Sequence, residues 1–274
     1  MIQEYLNYLS SIKGYSDNTV ESYRKDIADF AKWAKIAVPA ARWSTITRKE
    51  IDRYIREQVA NGLMPATTNR RLSAISSLYR YLQRTGYKVE NPCRYESRRK
   101  IAKTIPNTIP AADIIAAYNN SHGVVKIMIG LLASTGIRIQ ELLDMTYENI
   151  DFKTCAIRIH GKGNKERIVY SADEYLATLR DTRALYHKTG KIFNCEQRTA
   201  RLMIYAALKP YSSAIQLSPH AIRHTYATNQ ALAGTNSSTL AKILGHDNIA
   251  TSQHYIDLAQ LDVQKAMQAN TIIN

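Results

Sequence analysis

Leu217-Ser218-Pro219-His220-Ala221-Ile222-Arg223-His224 has the makings of a helix start. Ser218 can cap the helix, and Pro219 suits its first position, where no backbone N–H bond is needed. His220 and Arg223, three apart, then share one face of the first turn. Unpaired N–H groups and the helix dipole already favour an anion there, so the added guanidinium and imidazole make a phosphate site. A capped surface helix with a packed histidine would read the same way, and neighbouring segments must decide between the two.

Three other segments carry residues of matching chemistry. In Thr135-Gly136-Ile137-Arg138-Ile139-Gln140-Glu141, a helix restarts after a glycine with Arg138 in its first turn. Glu141, three residues on, can hold a cation in one rotamer, although an ordinary exposed ion pair has the same spacing. Lys162 stands at a hairpin tip between Gly161 and Gly163, with Lys165 and Arg167 close behind. Flanking glycines permit close approach to a ligand, yet a lysine in a turn usually serves solubility. In Leu244-Gly245-His246-Asp247-Asn248, Gly245 ends one helix and Asp247 or Asn248 caps the next, leaving His246 in the corner and Tyr255 inside the following helix. The chain has 18 tyrosines, so Tyr255 counts as a packing residue unless its context promotes it.

Around these segments the apolar period is mostly helical. Residues 1–86 read as a bundle of four amphipathic helices, with inner faces Ile2/Tyr5/Leu6/Leu9/Ile12, Val20/Tyr23/Ile27/Phe30/Ala34, Ile51/Tyr54/Ile55 and Leu72/Ile75/Leu78/Leu82. Pro65 opens the fourth helix and Gly86 closes it. Residues 87–107 lose the period and gather Pro92, Arg98, Arg99, Lys100 and Pro106, as an extended basic linker would. A second domain, 108–274, opens with a helical pattern at Pro110 that continues through the apolar run Val124 to Ala133. Residues 147–170 alternate apolar and polar around Gly161-Lys162-Gly163-Asn164, which predicts a small antiparallel sheet. Helical patterns return from Ala172. The expected fold is mainly α with one small sheet, in two domains.

Composition narrows the partners. The chain has 274 residues, enough for two cores, and its 37 Lys and Arg against 23 Asp and Glu leave a charge of +14 that attracts polyanions, nucleic acid first. Thr67, Thr68, Asn69, Arg70 and Arg71 in the first domain, and Arg98, Arg99, Lys100, Lys165 and Arg167 beyond it, are candidate DNA contacts; an ordinary solvated helix face looks alike in sequence. Three scattered cysteines form neither a CxxC pair nor a disulfide framework. No signal-like apolar run opens the chain, and no stretch reaches the roughly 18 apolar residues of a membrane span, so the expectation is a cytoplasmic protein with no membrane partner. HExxH is absent, as is any D-x-D pair for magnesium, so no metal or other cofactor is expected and arginines must neutralise the phosphate.

Taken together, TGIRIQELL (135–143), GKGNKER (161–167), HAIRHTYAT (220–228) and LGH (244–246) followed by Tyr255 resemble the tyrosine recombinase, or phage integrase, family, and its Xer-type members most of all. NTVESYRKDIADF (18–30) extends the likeness more loosely into the first domain, a SAM-like core-binding domain in that family. The chain departs in lacking a glutamine shortly before LGH and in having Tyr170 where many relatives have proline. The resemblance implies that Arg138, Lys162, His220, Arg223, His246 and Tyr255 are catalytic, with Tyr255 the nucleophile, His220 the candidate base, Lys162 the proton donor to the leaving 5′ oxygen and Glu141 in support. It implies a 3′-phosphotyrosyl intermediate formed without metal or ATP. It also implies a homotetramer on two double-stranded DNA sites, with or without a related partner recombinase, and a tail after Tyr255 that docks on a neighbouring protomer. Integration, excision, inversion and dimer resolution all fit. A type IB topoisomerase-like enzyme shares the chemistry, and a non-catalytic DNA-binding module could share the fold.

Overall fold

The computed structural model describes residues 1–35, 40–93, 99, 106–161 and 165–269. Two compact units divide the chain, Met1–Lys103 and Thr104–Asn274.

In the first unit, α1 (Ile2–Ser11), α2 (Asp17–Trp33), α3 (Arg48–Ala60) and α4 (Pro65–Arg84) form the expected four helices. Thr47 and Glu50 close a capping box at the start of α3, and Pro65 opens α4. Tyr5, Leu9, Ile27, Phe30, Ile51, Tyr54, Ile75, Leu78 and Leu82 are buried on the inner faces. Phe30 and Tyr54 meet edge to face at 5.0 Å, the arrangement ring quadrupoles prefer. Ile12 is 67% exposed, because α1 ends one residue before it. Trp43 is fully buried on a single 3-10 stretch, Ala40–Thr45, whose shortness leaves no apolar period to read; Tyr79 donates its hydroxyl to the Trp43 carbonyl at 2.9 Å. Beyond α4, Asn91 and Arg99 both make contacts with α4. Asn91 Nδ2 donates to Ser76 Oγ at 3.0 Å, and the Asn69 amide makes two 2.9 Å bonds with the backbone of Arg99.

The second unit holds α5 (Ala111–Asn119), α6 (Gly123–Thr135), α7 (Ile139–Leu143), α8 (Asp173–Tyr186), α9 (Gln197–Leu208), α10 (Pro219–Leu232), α11 (Ser237–Leu244) and α12 (Ile249–Ala269). The helical run expected from Pro110 through Ala133 is two helices, parted at residues 120–122 before Gly123 with its positive φ of 57°. Helix α6 is buried over most of its length, with Met128, Ile129, Leu131 and Leu132 inaccessible to solvent. The sheet is β1 (Ile150–Asp151), β2 (Ala156–His160) and β3 (Glu166–Tyr170), antiparallel in that order. Opposed residues share a face, so the pairs Ile157 with Val169 and Ile159 with Arg167 both point inward.

Helix α10 is the hub of this unit, packed on α6, α11 and α12. Its Thr225 hydroxyl lies 2.9 Å from the amide of Ile109 and 2.8 Å from the carbonyl of the same residue, satisfying a buried peptide at the entry to the unit. Thr225→Val keeps the shape but leaves those two polar groups unpaired, which costs about 1–3 kcal/mol in a buried site. We expect a thermal or urea melt of Thr225→Val to show a loss in that range; an unchanged melting curve would mean the contact contributes nothing.

Candidate active site

Arginine 223 is almost fully buried in the first turns of α10. Its charge is met by the C-terminal ends of two helices, where backbone carbonyls lack partners and the dipole is negative. Nη1 donates to Gly136 O at 2.7 Å, beyond α6, and Nη2 to Leu244 O at 2.7 Å, at the end of α11. Burial, with Arg138 nearby, lowers its pKa to about 10, which still leaves it charged at neutral pH. Arg138 is exposed at the start of α7, with Nη2 donating to Gly245 O at 2.8 Å and Nη1 to Glu141 Oε1 at 2.8 Å. Each arginine therefore grips a carbonyl of a glycine corner.

Those corners admit no side chain. Gly136 and Gly245 both adopt the left-handed conformation, at φ 64° and 63°. A Cβ on Gly136 would stand 2.3 Å from the Tyr226 ring, and one on Gly245 would stand 2.8 Å from Arg167 Nη1.

Glu141 is buried and forms the second layer. It accepts a paired fork from Arg167 at 3.0 and 2.8 Å, the Arg138 amide at 2.8 Å and the Arg138 guanidinium. Burial alone would raise its pKa, but the bonds from Arg167 and Arg138 outweigh that and hold the carboxyl below its ordinary range. Arg167 also donates Nε to Ile243 O at 2.8 Å. Expected at a DNA surface, it instead faces inward opposite Ile159, with only 12% of its side chain exposed.

His246 follows the Gly245 corner. A guanidinium cannot accept, so Arg223 Nη2 donates to His246 Nε2 at 3.0 Å; the ring proton then sits on Nδ1, which donates to Ser252 Oγ at 2.9 Å. Burial and the charges of Arg223, Arg138 and Arg167 lower its pKa to about 4. Tyr255, in the second turn of α12, is 4% exposed, and its Oη lies 2.6 Å from Nδ1 of His224, the residue after Arg223. Burial raises the phenol pKa while Arg223 opposes the rise. His224 is lowered to about 4 by burial, His220, Arg223 and His254. His220 is exposed and packs edge-on against His224, with ring centroids 4.1 Å apart, and makes no hydrogen bond among the described residues. Desolvation, Arg223, Arg138 and Arg201 lower its pKa as well.

Two clefts meet at Arg138. One, of about 780 Å³, includes Glu141, Lys165, Arg167, Lys242 and His246 in its walls; the other, of about 500 Å³, is lined by Gln197, Arg201, Gln216, His220 and Arg223 among others and has no carboxylate among its described residues. A carboxylate-free cleft with three arginines suits a phosphodiester.

The phage integrase family model matches residues 111–261, and the phage integrase N-terminal SAM-like domain matches residues 2–86. The chain belongs to the phage integrase family. Among curated relatives, tyrosine recombinase XerD of Haemophilus influenzae is 29% identical, covering 95% of this chain and 94% of its own length. Tyrosine recombinase XerC of Thermodesulfovibrio yellowstonii is 28% identical over 95% and 93%. The fold is that of solved recombinases: XerH bound to palindromic difH substrate superposes with a TM-score of 0.74 at 16% identity, covering 97% of this chain and 84% of that one. A lambda integrase dimer bound to a COC′ core site gives 0.71 at 17%, covering 93% and 76%. The chain is thus a DNA breaking and rejoining enzyme of the tyrosine recombinase type, and no helix among its described residues is long and apolar enough to cross a membrane.

Of the residues singled out in the sequence, the structure gathers Arg138, Glu141, His220, Arg223, His246 and Tyr255 into one site. Lys162, Arg98 and Lys100 lie outside the described residues. Lys165 pairs with Asp247 at 2.6 Å, both highly exposed. In the first unit, Thr68 is buried with its hydroxyl on Met64 O, Asn69 clasps Arg99, and Arg71 is bound to Asp29, Tyr54 and Gln58. Arg70 pairs with the buried Asp26 yet remains 43% exposed, and Thr67 is half-buried. These bonds tie α4 to α2 and α3, so surface charge here doubles as bundle structure.

Sequence reasoning missed the part His224 and Ser252 play. The i,i+4 spacing of His220 and His224 was the available signal for the first. Both His224 and His246 have a pKa near 4 in the folded chain against about 6.5 when unfolded, so each holds stability that is present above pH 6.5 and lost as pH falls toward 4. We expect the melting temperature to drop across that window and the drop to shrink in a His224→Asn/His246→Asn double variant; equal slopes for the two proteins would show that neither imidazole carries the effect.

Proposed function

We propose that this chain is a site-specific recombinase that cuts one DNA strand with Tyr255, holds it as a 3′-phosphotyrosyl link and passes it to a new partner strand. The observation that carries this reading is the placement of Tyr255 Oη on the neighbour of Arg223, a buried guanidinium fixed by two helix ends. A phenol has a pKa near 10, so it attacks phosphorus only in a positive field with a proton acceptor at hand. Both are supplied within one turn of α10.

Arg223 spends three of its five N–H groups on the protein and Arg138 spends two, leaving donors on each for non-bridging phosphate oxygens. Because these guanidinium groups are anchored before DNA arrives, they do not reorganise as charge builds in the transition state. His220 adds a donor from the carboxylate-free cleft. His246 adds another once bound phosphate offsets the arginine charges that keep it neutral. Lys162 is assigned to protonate the departing 5′ oxygen. The phosphotyrosyl bond keeps the energy of the broken phosphodiester, so rejoining draws on neither ATP nor metal.

The working unit is a homotetramer on two double-stranded DNA sites, with or without a related partner recombinase. Phosphate contacts come from Thr67 and from the basic residues Arg70, Arg98, Arg99, Lys100 and Lys165. A type IB topoisomerase would use the same chemistry on one duplex, but the Xer-like sequence around all four motifs favours strand exchange.

A duplex isolated from a random pool by its binding to the full-length chain provides the test. Wild-type protein should form a denaturation-resistant adduct with it; Tyr255→Phe should bind equally and form none, whereas an adduct persisting in Tyr255→Phe would overturn the assignment. The segment after Tyr255 continues α12 to Ala269, and we assign it to docking on a neighbouring protomer. Deleting residues 260–274 should lower adduct yield and assembly on two-site DNA by at least about tenfold, roughly 1.4 kcal/mol of coupling. An undiminished yield would refute the docking.

A further inference from the structure

The site holds four histidines, and the one that touches the nucleophile is not the one the family motif points to. His220, first residue of the His-x-x-Arg pair, is exposed and makes no hydrogen bond among the described residues. His224 Nδ1 lies 2.6 Å from Tyr255 Oη. We propose that His224 accepts the Tyr255 proton during cleavage and returns it during rejoining, leaving His220 to contact the DNA phosphate. This inference rests on Tyr255 being the nucleophile.

Direction of the bond follows from chemistry. Tyr255 is 4% exposed, and its hydroxyl has no other partner among the described residues. A buried O–H must donate to something, and a phenol donates far better than it accepts, so the bare lone pair of a neutral imidazole is its acceptor. Nδ1 of His224 is that lone pair, which puts the ring proton on Nε2. Among the described residues, the titratable and charged groups facing His224 are His220 and Arg223 on its own helix, with His254 and Tyr255 on α12. None of these is a carboxylate, so no described neighbour favours a charged imidazole before DNA binds. Its folded pKa near 4 agrees with that arrangement.

Such an imidazole is a weak base at rest, and the substrate corrects this. A phosphodiester held by Arg138 and Arg223 offsets the charges that disfavour imidazolium, so proton affinity at His224 rises when the target is bound. During cleavage the Tyr255 Oη–phosphorus bond forms while the phosphorus–O5′ bond breaks. The phenol proton passes to His224 Nδ1; the electron pair leaves on O5′, which takes a proton from Lys162. Rejoining reverses each transfer, with His224 returning its proton to the departing phenolate.

The test measures adduct formation by the full-length protein on the binding-selected duplex, in parallel with a version carrying sulfur at the bridging 5′ position, whose leaving group needs no proton. Variants are His224→Asn, which sets an amide oxygen near the Nδ1 position without a useful pKa, His220→Asn and Lys162→Ala. DNA affinity and melting temperature are measured for each, to separate chemistry from folding. We expect His224→Asn to bind DNA normally and cleave at least about 100-fold more slowly, in line with the loss of a general base. Its defect should persist on the sulfur duplex, where that of Lys162→Ala is relieved. The fall in wild-type rate toward low pH should be absent in His224→Asn and present in His220→Asn. The assignment to His224 is overturned by wild-type rates in His224→Asn, by an unchanged pH profile, or by a cleavage loss no larger than its loss of DNA affinity. Absence of an adduct with wild-type protein, or its persistence in Tyr255→Phe, would instead overturn the proposed function itself.

Discussion

Everything in the catalytic unit is arranged around a positive charge taken out of water. Arg223 is buried on α10, and its desolvation is made tolerable because α6 and α11 both end against it, offering carbonyls at the negative poles of two helices. The ends of three helices are fixed relative to one another by this single guanidinium. Helix α12 then packs on α10 and α11, which delivers Tyr255 to the residue beside Arg223. Binding site and fold are one construction here, since the group that would meet phosphate also locks the helices together.

A second layer gives the exposed Arg138 fixed partners. Glu141 is held by Arg167 and Arg138, and both arginines reach toward the Gly245 corner, Arg138 through the carbonyl of that glycine and Arg167 by filling the space a Cβ would need. The hairpin, α7 and the end of α11 thus share one charge network. Removing Glu141 would leave two guanidinium groups in mutual repulsion, with Arg167 buried and short of its partner, the situation in which breaking an ion pair is most destabilising.

Much of this was legible in the sequence. The four helices of the first unit, the small sheet and the capped start of α10 follow from apolar period, from Gly161 to Asn164 as a turn and from Ser218-Pro219. Chemistry-bearing residues at Arg138, Arg223 and His246 stood out because each sits beside a helix boundary written in glycine or a capping residue, whereas Tyr255, inside α12, stood out only through its resemblance to the family motif. What escaped was tertiary. Trp43 lies on one turn with no period, and the break between α5 and α6 falls before Gly123, whose positive φ interrupts an otherwise continuous apolar pattern. Arg167 looked like surface charge, although its place two residues before Val169 in an alternating strand puts it on the inner face. Arg71 looked like a DNA contact, and only the folded bundle shows Asp29 waiting for it from α2, while Arg70 pairs with the buried Asp26 and still keeps an exposed face. Charge in sequence does not reveal its partner.

Helix α12 has a mechanical corollary. It runs unbroken from Ile249 to Ala269 with Tyr255 near its beginning, and at about 1.5 Å of rise per residue some 20 Å of stiff rod extends past the phenol. A rod of that kind turns a grip on its far end into displacement at its near end. Whatever holds the last turns therefore has leverage over the Tyr255 hydroxyl without approaching the Arg138 and Arg223 cleft, so the position of that hydroxyl can be set from the far end of the helix.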